Sequence, residues 1–539
     1  MKRVVKAALL FAEYTLACKP ESPRSPRMAS GFDDIAPSHN LTWAPCFDSF
    51  TCAKLEVPLD YSNTTLGTTF VSLIKLAGKN ATIDSPSIIL IPGGPGGSGV
   101  DLLLTYQATV GQFLGEQYNF VSFDPRGVNN SGLASFDCFS GNKQARSAFN
   151  QLHRTGTTNT STTSLAEQYY TSSIYGEWCN QAVENGNPHA YYVTTASVAQ
   201  DLLTFIEAEA QSAGHTPSEA KLWCYGISYG TLIGTTFASM FPNRVGRMVL
   251  DGVINAEQYY TNDWRDNLEQ ADEAMGMFST LCHSAGPERC SFWGATPGDI
   301  TARLGAIVGG IQGHPVPVSA VQGGGLPTLV TAADLKAFFL NAVSIPTVLF
   351  PVMADVLRQV EVGDVSALVG MFDGWDVVSD AGLRVQCADA FGRNKLTTLD
   401  KFRSFVEYTA SKSKYIGDVY PMYVEQILCR SVEPRLPGSH GIEDAIGGSQ
   451  PLEPTDFPIL FTSNTIDPIT PLISARTMST RFPGSIILQQ EAIGHTVVNQ
   501  GGSVCYFGYI QAYFQGVVPE KDIICPQQHV PFIDSPGLA

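Results

Sequence analysis

The sequence predicts an α/β chain: a mostly parallel sheet with helices on both faces, interrupted by a largely helical insertion. Three observations carry this expectation. Short apolar runs closed by glycine and proline alternate with helix-like segments between Lys54 and Ile254, and such alternation implies crossover connections and parallel strands covered on both sides. A Gly-x-Ser-x-Gly sequence, Gly226-Ile227-Ser228-Tyr229-Gly230, falls at one strand-to-helix junction. The alternation stops near Asn255 and resumes at Pro458.

Taken in order, Lys54 to Tyr61 and Thr69 to Leu76 read as strands. Ser87 to Ile91 and Tyr118 to Phe123 are short apolar runs ended by glycine and proline, the pattern of strands buried on both faces. Val198 to Ala210 carries Leu202, Leu203, Phe205 and Ile206 at helical spacing. A strand at Leu222 to Tyr225, a helix at Thr231 to Phe241 and a strand at Arg247 to Ile254 follow. After the insertion, strands are expected at Pro458 to Thr462 and Ser485 to Gln489. The expected organisation is a leader at 1–40, a first core part at 41–255, a cap insertion at 256–445 containing the glycine loop Gly323-Gly324-Gly325, and a second core part at 446–539.

The chain has 539 residues, 44% hydrophobic and 15% charged, a globular composition that excludes a disordered chain. A net charge of −17 repels phosphate backbones and anionic lipid surfaces, so neither nucleic acid nor a stably bound membrane is an expected partner. No stretch approaches the roughly 18 continuous apolar residues of a membrane-spanning helix. Lys2, Arg3 and Lys6 ahead of the apolar run Ala7 to Ala17 give the outline of a secretory signal, although Glu13 interrupts it.

Twelve cysteines fall into sequence pairs: Cys46 with Cys52, Cys138 with Cys179, Cys282 with Cys290, Cys387 with Cys429, and Cys505 with Cys525. Cys18 and Cys224 remain over. Such a division suits an oxidising, extracellular compartment. Without Cys-x-x-Cys or His-Glu-x-x-His, no metal and no cofactor is expected. Asn-x-Ser/Thr sequons begin at Asn40, Asn63, Asn80, Asn129 and Asn159.

The chemistry centres on Ser228. Gly-x-Ser-x-Gly holds a serine on a sharp strand-to-helix turn, with glycines giving the backbone room. A serine hydroxyl is a weak nucleophile and needs a base that an acid orients. On an α/β-hydrolase fold the chain order is serine, acid, histidine. His495, in Ala492-Ile493-Gly494-His495-Thr496, lies just past a strand, and Asp467, in Asn464-Thr465-Ile466-Asp467-Pro468, directly follows another. They are the expected base and acid, with Asp251 as the rival acid. The glycine-dense loop Pro92 to Gly99 follows a strand, and backbone amides of Gly94 and Tyr229 are the expected donors to a developing oxyanion. A phosphate-binding reading of that loop lacks the Lys-Ser/Thr ending.

These motifs, Pro92-Gly93-Gly94-Pro95-Gly96-Gly97-Ser98-Gly99, Asp124-Pro125-Arg126-Gly127, the Ser228 pentapeptide, Asp467-Pro468-Ile469-Thr470-Pro471 and Gly494-His495, together resemble the tripeptidyl aminopeptidase-like branch of the prolyl-aminopeptidase-type serine peptidases. The opening Cys46 to Tyr61 and the closing Cys505, Tyr513, Gly516, Pro519 and Cys525 match that branch too. The resemblance implies Ser228, Asp467 and His495 as a triad, secretion, and release of short peptides from a free N-terminus. It departs from the branch at Ile91, where a polar residue is frequent, and at Thr496, where glycine is frequent. An aminopeptidase needs a carboxylate for the substrate's ammonium, and Asp389, Asp263 and Glu269 are the expected substrate-binding acids. The competing expectations are an esterase or lactonase acting on a small molecule such as a secondary metabolite, and a non-catalytic binding protein on the same scaffold.

Overall fold

A computed structural model describes residues 31–82, 84–153, 161–319, 327–372, 380–424, 426–438 and 450–534. Residues 1–30 of the expected leader, with Cys18, the Asn159 sequon and the Gly323–Gly325 loop, lie outside them.

The core is a ten-stranded sheet. Its strands are β1 (Ala44–Cys46), β2 (Phe50–Pro58), β3 (Thr68–Ala77), β4 (Ser87–Ile91), β5 (Asn119–Asp124), β6 (Leu222–Ile227), β7 (Val245–Asp251), β8 (Leu460–Ile466), β9 (Ile486–Ile493) and β10 (Ile523–Cys525). They lie in the order β1-β2-β3-β5-β4-β6-β7-β8-β9-β10. The first three strands run antiparallel, and β3 pairs antiparallel with β5. From β5 to β10 every pair is parallel. The long cap connection therefore joins β7 to its direct neighbour β8, so the insertion leaves the sheet uninterrupted.

Helices cover both faces. On one side lie α4 (Thr195–Ser212), α5 (Tyr229–Met240) and α11 (Leu472–Arg481), whose Leu202, Phe205, Leu232, Phe237 and Met478 join Ile89, Val121 and Phe461 in one apolar layer. On the other lie α1 (Gly99–Tyr106) and α12 (Val504–Phe514), with Val100, Leu103, Ile510 and Phe514 packed on Phe120, Tyr225 and Val249. Local signals set the helix starts. The Thr194 hydroxyl accepts from the Ser197 amide at the head of α4, as an N-cap residue should.

The cap has its own core, built largely from α6 (Ala271–Ala285), α7 (Pro297–Gly313), α8 (Ala332–Ser344) and α9 (Pro346–Glu361). Two more helices, α2 (Lys143–His153) and α3 (Ser164–Asn185), leave the chain between β5 and α4. Phe149, Tyr175 and Cys179 from these helices join Leu383 and Cys387 of α10 (Asp380–Ala390), together with Leu428 and Cys429, in a separate cluster. Cys138–Cys179 and Cys387–Cys429 staple it. The other disulfides are Cys46–Cys52, Cys282–Cys290 and Cys505–Cys525. Cys224 is a buried free thiol. Among the described residues no helix is long and apolar enough to cross a membrane.

Candidate active site

Ser228 stands at the end of β6 with φ 55° and ψ −118°. A non-glycine residue with this backbone is strained and persists only where its surroundings over-determine it. Two glycines make the turn possible. A Cβ on Gly230 would lie 2.3 Å from the Ile91 carbonyl oxygen, and one on Gly226 would lie 2.6 Å from that of Gly230. Without side chains at both positions, the elbow closes onto the end of β4, where the glycine-rich loop begins.

That loop runs against the nucleophile. A Cβ on Gly93 would sit 3.2 Å from Ser228 Cβ and 3.7 Å from its Oγ, so the loop passes the hydroxyl at Gly93. Tyr229 is the first residue of α5, and its amide has no intrahelical acceptor. Asp124 anchors the far end of the loop. One of its oxygens accepts from Ser98 Oγ (2.6 Å) and the Val100 amide (3.1 Å), and the other from the Asn130 amide and side chain.

Asp467 follows β8 and is fully buried. Its Oδ1 accepts from the amides of Ile469 (2.9 Å) and Thr470 (2.8 Å). Its Oδ2 accepts from Thr470 Oγ1 (2.9 Å) and the Thr496 amide (3.1 Å). His495, just past β9, directs Nδ1 at both oxygens, 3.1 and 3.3 Å away. A ring nitrogen facing a carboxylate carries the proton, which leaves Nε2 as an acceptor. Among the described residues Ser228 Oγ makes no hydrogen bond to this ring; such bonds commonly tighten only with substrate bound.

The residue after the base, Thr496, has φ 63°, a left-handed conformation costly for a β-branched side chain. The glycine frequent in the resembling branch adopts it freely. Here the bond from the Thr496 amide to Asp467, and those from Asn464 Nδ2 to the Gly494 and Thr496 carbonyls, hold the turn.

Asp251, the rival acid, is also fully buried. Its carboxylate accepts from the amides of Val497 (2.8 Å) and Val498 (3.0 Å) and from the Tyr225 hydroxyl (2.8 Å). It meets the backbone beyond His495, not the ring.

The three acids expected to bind a substrate ammonium are all committed elsewhere. Asp389 of α10 is fully buried and accepts from the Thr195 amide (2.8 Å), Thr195 Oγ1 (2.6 Å) and Tyr259 hydroxyl (3.1 Å). Thr195 Oγ1 also meets the Tyr229 hydroxyl at 2.7 Å. Burial, with the Asp389 charge beside it, raises the Tyr229 phenol well above its ordinary pKa. Asp263 pairs with Arg265 and Lys395, and Glu269 pairs with Lys412. Asp389 thus has both oxygens engaged inside the fold, and at Asp263 and Glu269 an incoming ammonium would compete with Arg265, Lys395 and Lys412.

Sequence reasoning missed two glutamines at the site. Gln270, at the entry to α6, accepts at Oε1 from the Asp467 (3.4 Å) and Leu472 (3.2 Å) amides and donates from Nε2 to the Thr465 carbonyl (2.7 Å). Gln500, buried beyond the base, contacts the His495 carbonyl. No local pattern marks either one, because their partners are set by the cap's return to the sheet.

A strained serine elbow, a glycine loop beside it and a histidine held by a buried aspartate on neighbouring strand ends define an α/β hydrolase. A family described as alpha/beta hydrolase fold matches residues 86–279. A second, described as TAP-like protein, matches residues 443–525, the segment holding Asp467 and His495. It is 26% identical over 502 residues to the serine protease Hip1 of Mycobacterium tuberculosis, covering 88% of this chain and 89% of that one. It is 28% identical over 277 residues to the tripeptidyl aminopeptidase of Streptomyces lividans, 48% of this chain and 47% of the relative. Carboxylesterase B of Mycobacterium tuberculosis is 22% identical over 495 residues, 88% and 86% of the two chains.

Proposed function

We propose that this protein is a secreted serine exopeptidase that releases short peptides from free N-termini through an acyl-enzyme on Ser228. The observation that carries the catalytic part is the His495 ring, its Nδ1 fixed on buried Asp467, at the ends of strands that run parallel to β6, which ends in the strained Ser228 elbow. Ser228 Oγ attacks the scissile carbonyl as His495 Nε2 takes its proton. Asp467 holds the tautomer and stabilises the imidazolium. The amides of Gly94 and Tyr229 receive the oxyanion; one such donor contributes about 3–4 kcal/mol to the transition state. His495 then protonates the leaving amine, and water releases the acyl group by the reverse sequence.

The peptide part rests on the names of the relatives Hip1 and tripeptidyl aminopeptidase. Five disulfides support export to an oxidising compartment. The name of the carboxylesterase relative favours a second reading, hydrolysis of a small ester by the same triad.

The test compares tripeptide anilides bearing free or acetylated N-termini with short-chain nitrophenyl esters. Turnover of the free tripeptides alone supports the exopeptidase. Ester turnover with intact tripeptides supports the second reading. A Ser228→Ala protein as active as the parent removes the acyl-enzyme mechanism, and failure of a fluorophosphonate probe to label the parent favours a non-catalytic scaffold.

A further inference from the structure

The cap touches the base itself. Ser344 is the last residue of α8, so its carbonyl is one of those a helix end leaves without an internal partner. Ile345 and Pro346 turn the chain directly into α9. The Ser344 carbonyl accepts from the backbone amide of His495 at 2.8 Å. It also accepts from Gln500 Nε2 at 3.1 Å, and the same Nε2 donates to the His495 carbonyl at 3.1 Å. The three groups form a closed triangle: His495 amide to Ser344 carbonyl, Gln500 amide to that carbonyl, and Gln500 amide to the His495 carbonyl. Two carbonyl acceptors fix which end of the Gln500 side chain carries the nitrogen.

Packing enforces the same junction. Gly494 has φ +117°, and a Cβ there would lie 2.6 Å from Gln500 Cδ and 2.7 Å from Pro346 Cδ. The segment before the base thus passes against the glutamine and the cap corner with no space for a side chain. Gln500 and Thr347 are both buried, and the Thr347 hydroxyl leans on Gln500 Oε1 at 3.5 Å. On the acid's side Gln270, also from the cap, braces the Asp467 loop.

We propose that Gln500 is a positioning residue that ties the backbone of His495 to the α8–α9 corner of the cap, so that the cap sets where the imidazole stands. The proposal rests on the reading of His495 as the base. Both backbone groups of His495 are held by the triangle, while its ring is held by Asp467; together they fix the imidazole from both ends. Loss of the Gln500 donors frees the His495 carbonyl and one side of the Ser344 carbonyl. The base then keeps its acid but loses its fixed distance to the nucleophile. Misplacement of this kind lowers the chemical step and leaves ground-state binding alone.

The test uses the full-length protein with Gln500→Glu, which keeps shape and removes both donors, and Gly494→Ala, which wedges the junction from the other side. kcat and KM are measured on a tripeptide anilide and on an activated nitrophenyl ester, with His495→Ala alongside. The expected result is a tenfold or larger fall in kcat with KM changed less than twofold. The fall should be greater on the anilide, whose poor leaving group must be protonated by a well-placed imidazole. If the anilide is not a substrate, the same kcat-against-KM split is read on the ester. Gln500→Glu with kcat within twofold of the parent, or a loss confined to KM or to the folded fraction seen by thermal melting, overturns the proposal. Should Gln500→Glu not fold, Gly494→Ala decides by the same criteria. A His495→Ala protein with parental kcat overturns the base assignment itself, a result distinct from failure of the Gln500 variants alone.

Discussion

The backbone amide of Ser228 donates to the carbonyl of Asp251, 2.9 Å away, while the Asp251 carboxylate takes the amides of Val497 and Val498. One buried residue thus holds the nucleophile's turn and the segment just beyond the base. Asp251→Asn keeps one acceptor oxygen and sets an NH2 against at least one of the three donors. An orphaned buried donor costs about 1–3 kcal/mol, and that is the loss expected in a guanidinium melt at neutral pH. Burial raises the Asp251 pKa despite the bonds from Val497 and Val498. A raised folded-state value favours the fold at low pH, an advantage complete below the unfolded carboxylate pKa and lost as pH rises through the folded one. The stability gap between parent and Asp251→Asn should therefore widen as pH falls toward the ordinary carboxylate range. A gap that narrows on acidification contradicts this.

Asp467 and Asp251 are separated by what they touch. Only Asp467 faces the His495 ring, so Asp467→Asn should cost about 10³–10⁴ in kcat through the wrong tautomer. Asp251→Asn should cost kcat far less than that. Steady-state kinetics of the two variants on one substrate decide it, and an equal loss in both would make Asp251 a partner in the chemistry.

Asp389 should behave as a structural acid. Its acceptor capacity serves Thr195 and Tyr259, and through Thr195 it reaches the phenol of Tyr229, the residue after the nucleophile. Asp389→Asn is expected to lower stability by about 1–3 kcal/mol. It should leave the KM ratio between free and acetylated tripeptides within twofold of the parent. A selective rise in KM for free N-termini would return Asp389 to the substrate side.

The frame of the site was legible because its signals are local. The expected strand Ser87–Ile91 has those same bounds in the sheet, and the elbow needs only Gly226 and Gly230. The five disulfides followed from sequence pairs. Other features depend on partners far along the chain. Asp389 looks like any helix acid until Thr195, 194 residues away, closes on it. Gln270 meets Asp467 across 197 residues. Helix α3 carries no such local signal because it is rich in Ser, Tyr and Asn, weak helix formers. Its Tyr175 and Cys179 are buried by cap residues such as Leu428, not by the sheet its neighbours serve. Thr496 stood out in sequence only as a departure from the resembling branch, and the left-handed turn explains why glycine suits that position.

The Asp-Pro-Arg-Gly segment after β5 makes the strongest stability prediction. Arg126 is fully buried. Its Nε and Nη2 donate to the two oxygens of Asp201 on α4, and Nη1 and Nη2 reach the carbonyls of Pro58, Leu59 and Tyr192. The Tyr61 hydroxyl adds a 2.9 Å bond to Asp201. One guanidinium thus joins β2, β5 and α4, the elements on the flank of the glycine-rich loop. Asp201→Ala strands this cation in the interior, and breaking a buried pair from one side costs about 3–5 kcal/mol. Arg126→Met with Asp201→Ala removes the uncompensated charge and leaves mainly the three carbonyls unpaired, so the double variant should be more stable than Asp201→Ala alone. Guanidinium unfolding of both proteins with disulfides intact measures the order; a double variant less stable than the single one would mean that the carbonyl bonds, and not the buried charge, dominate this joint.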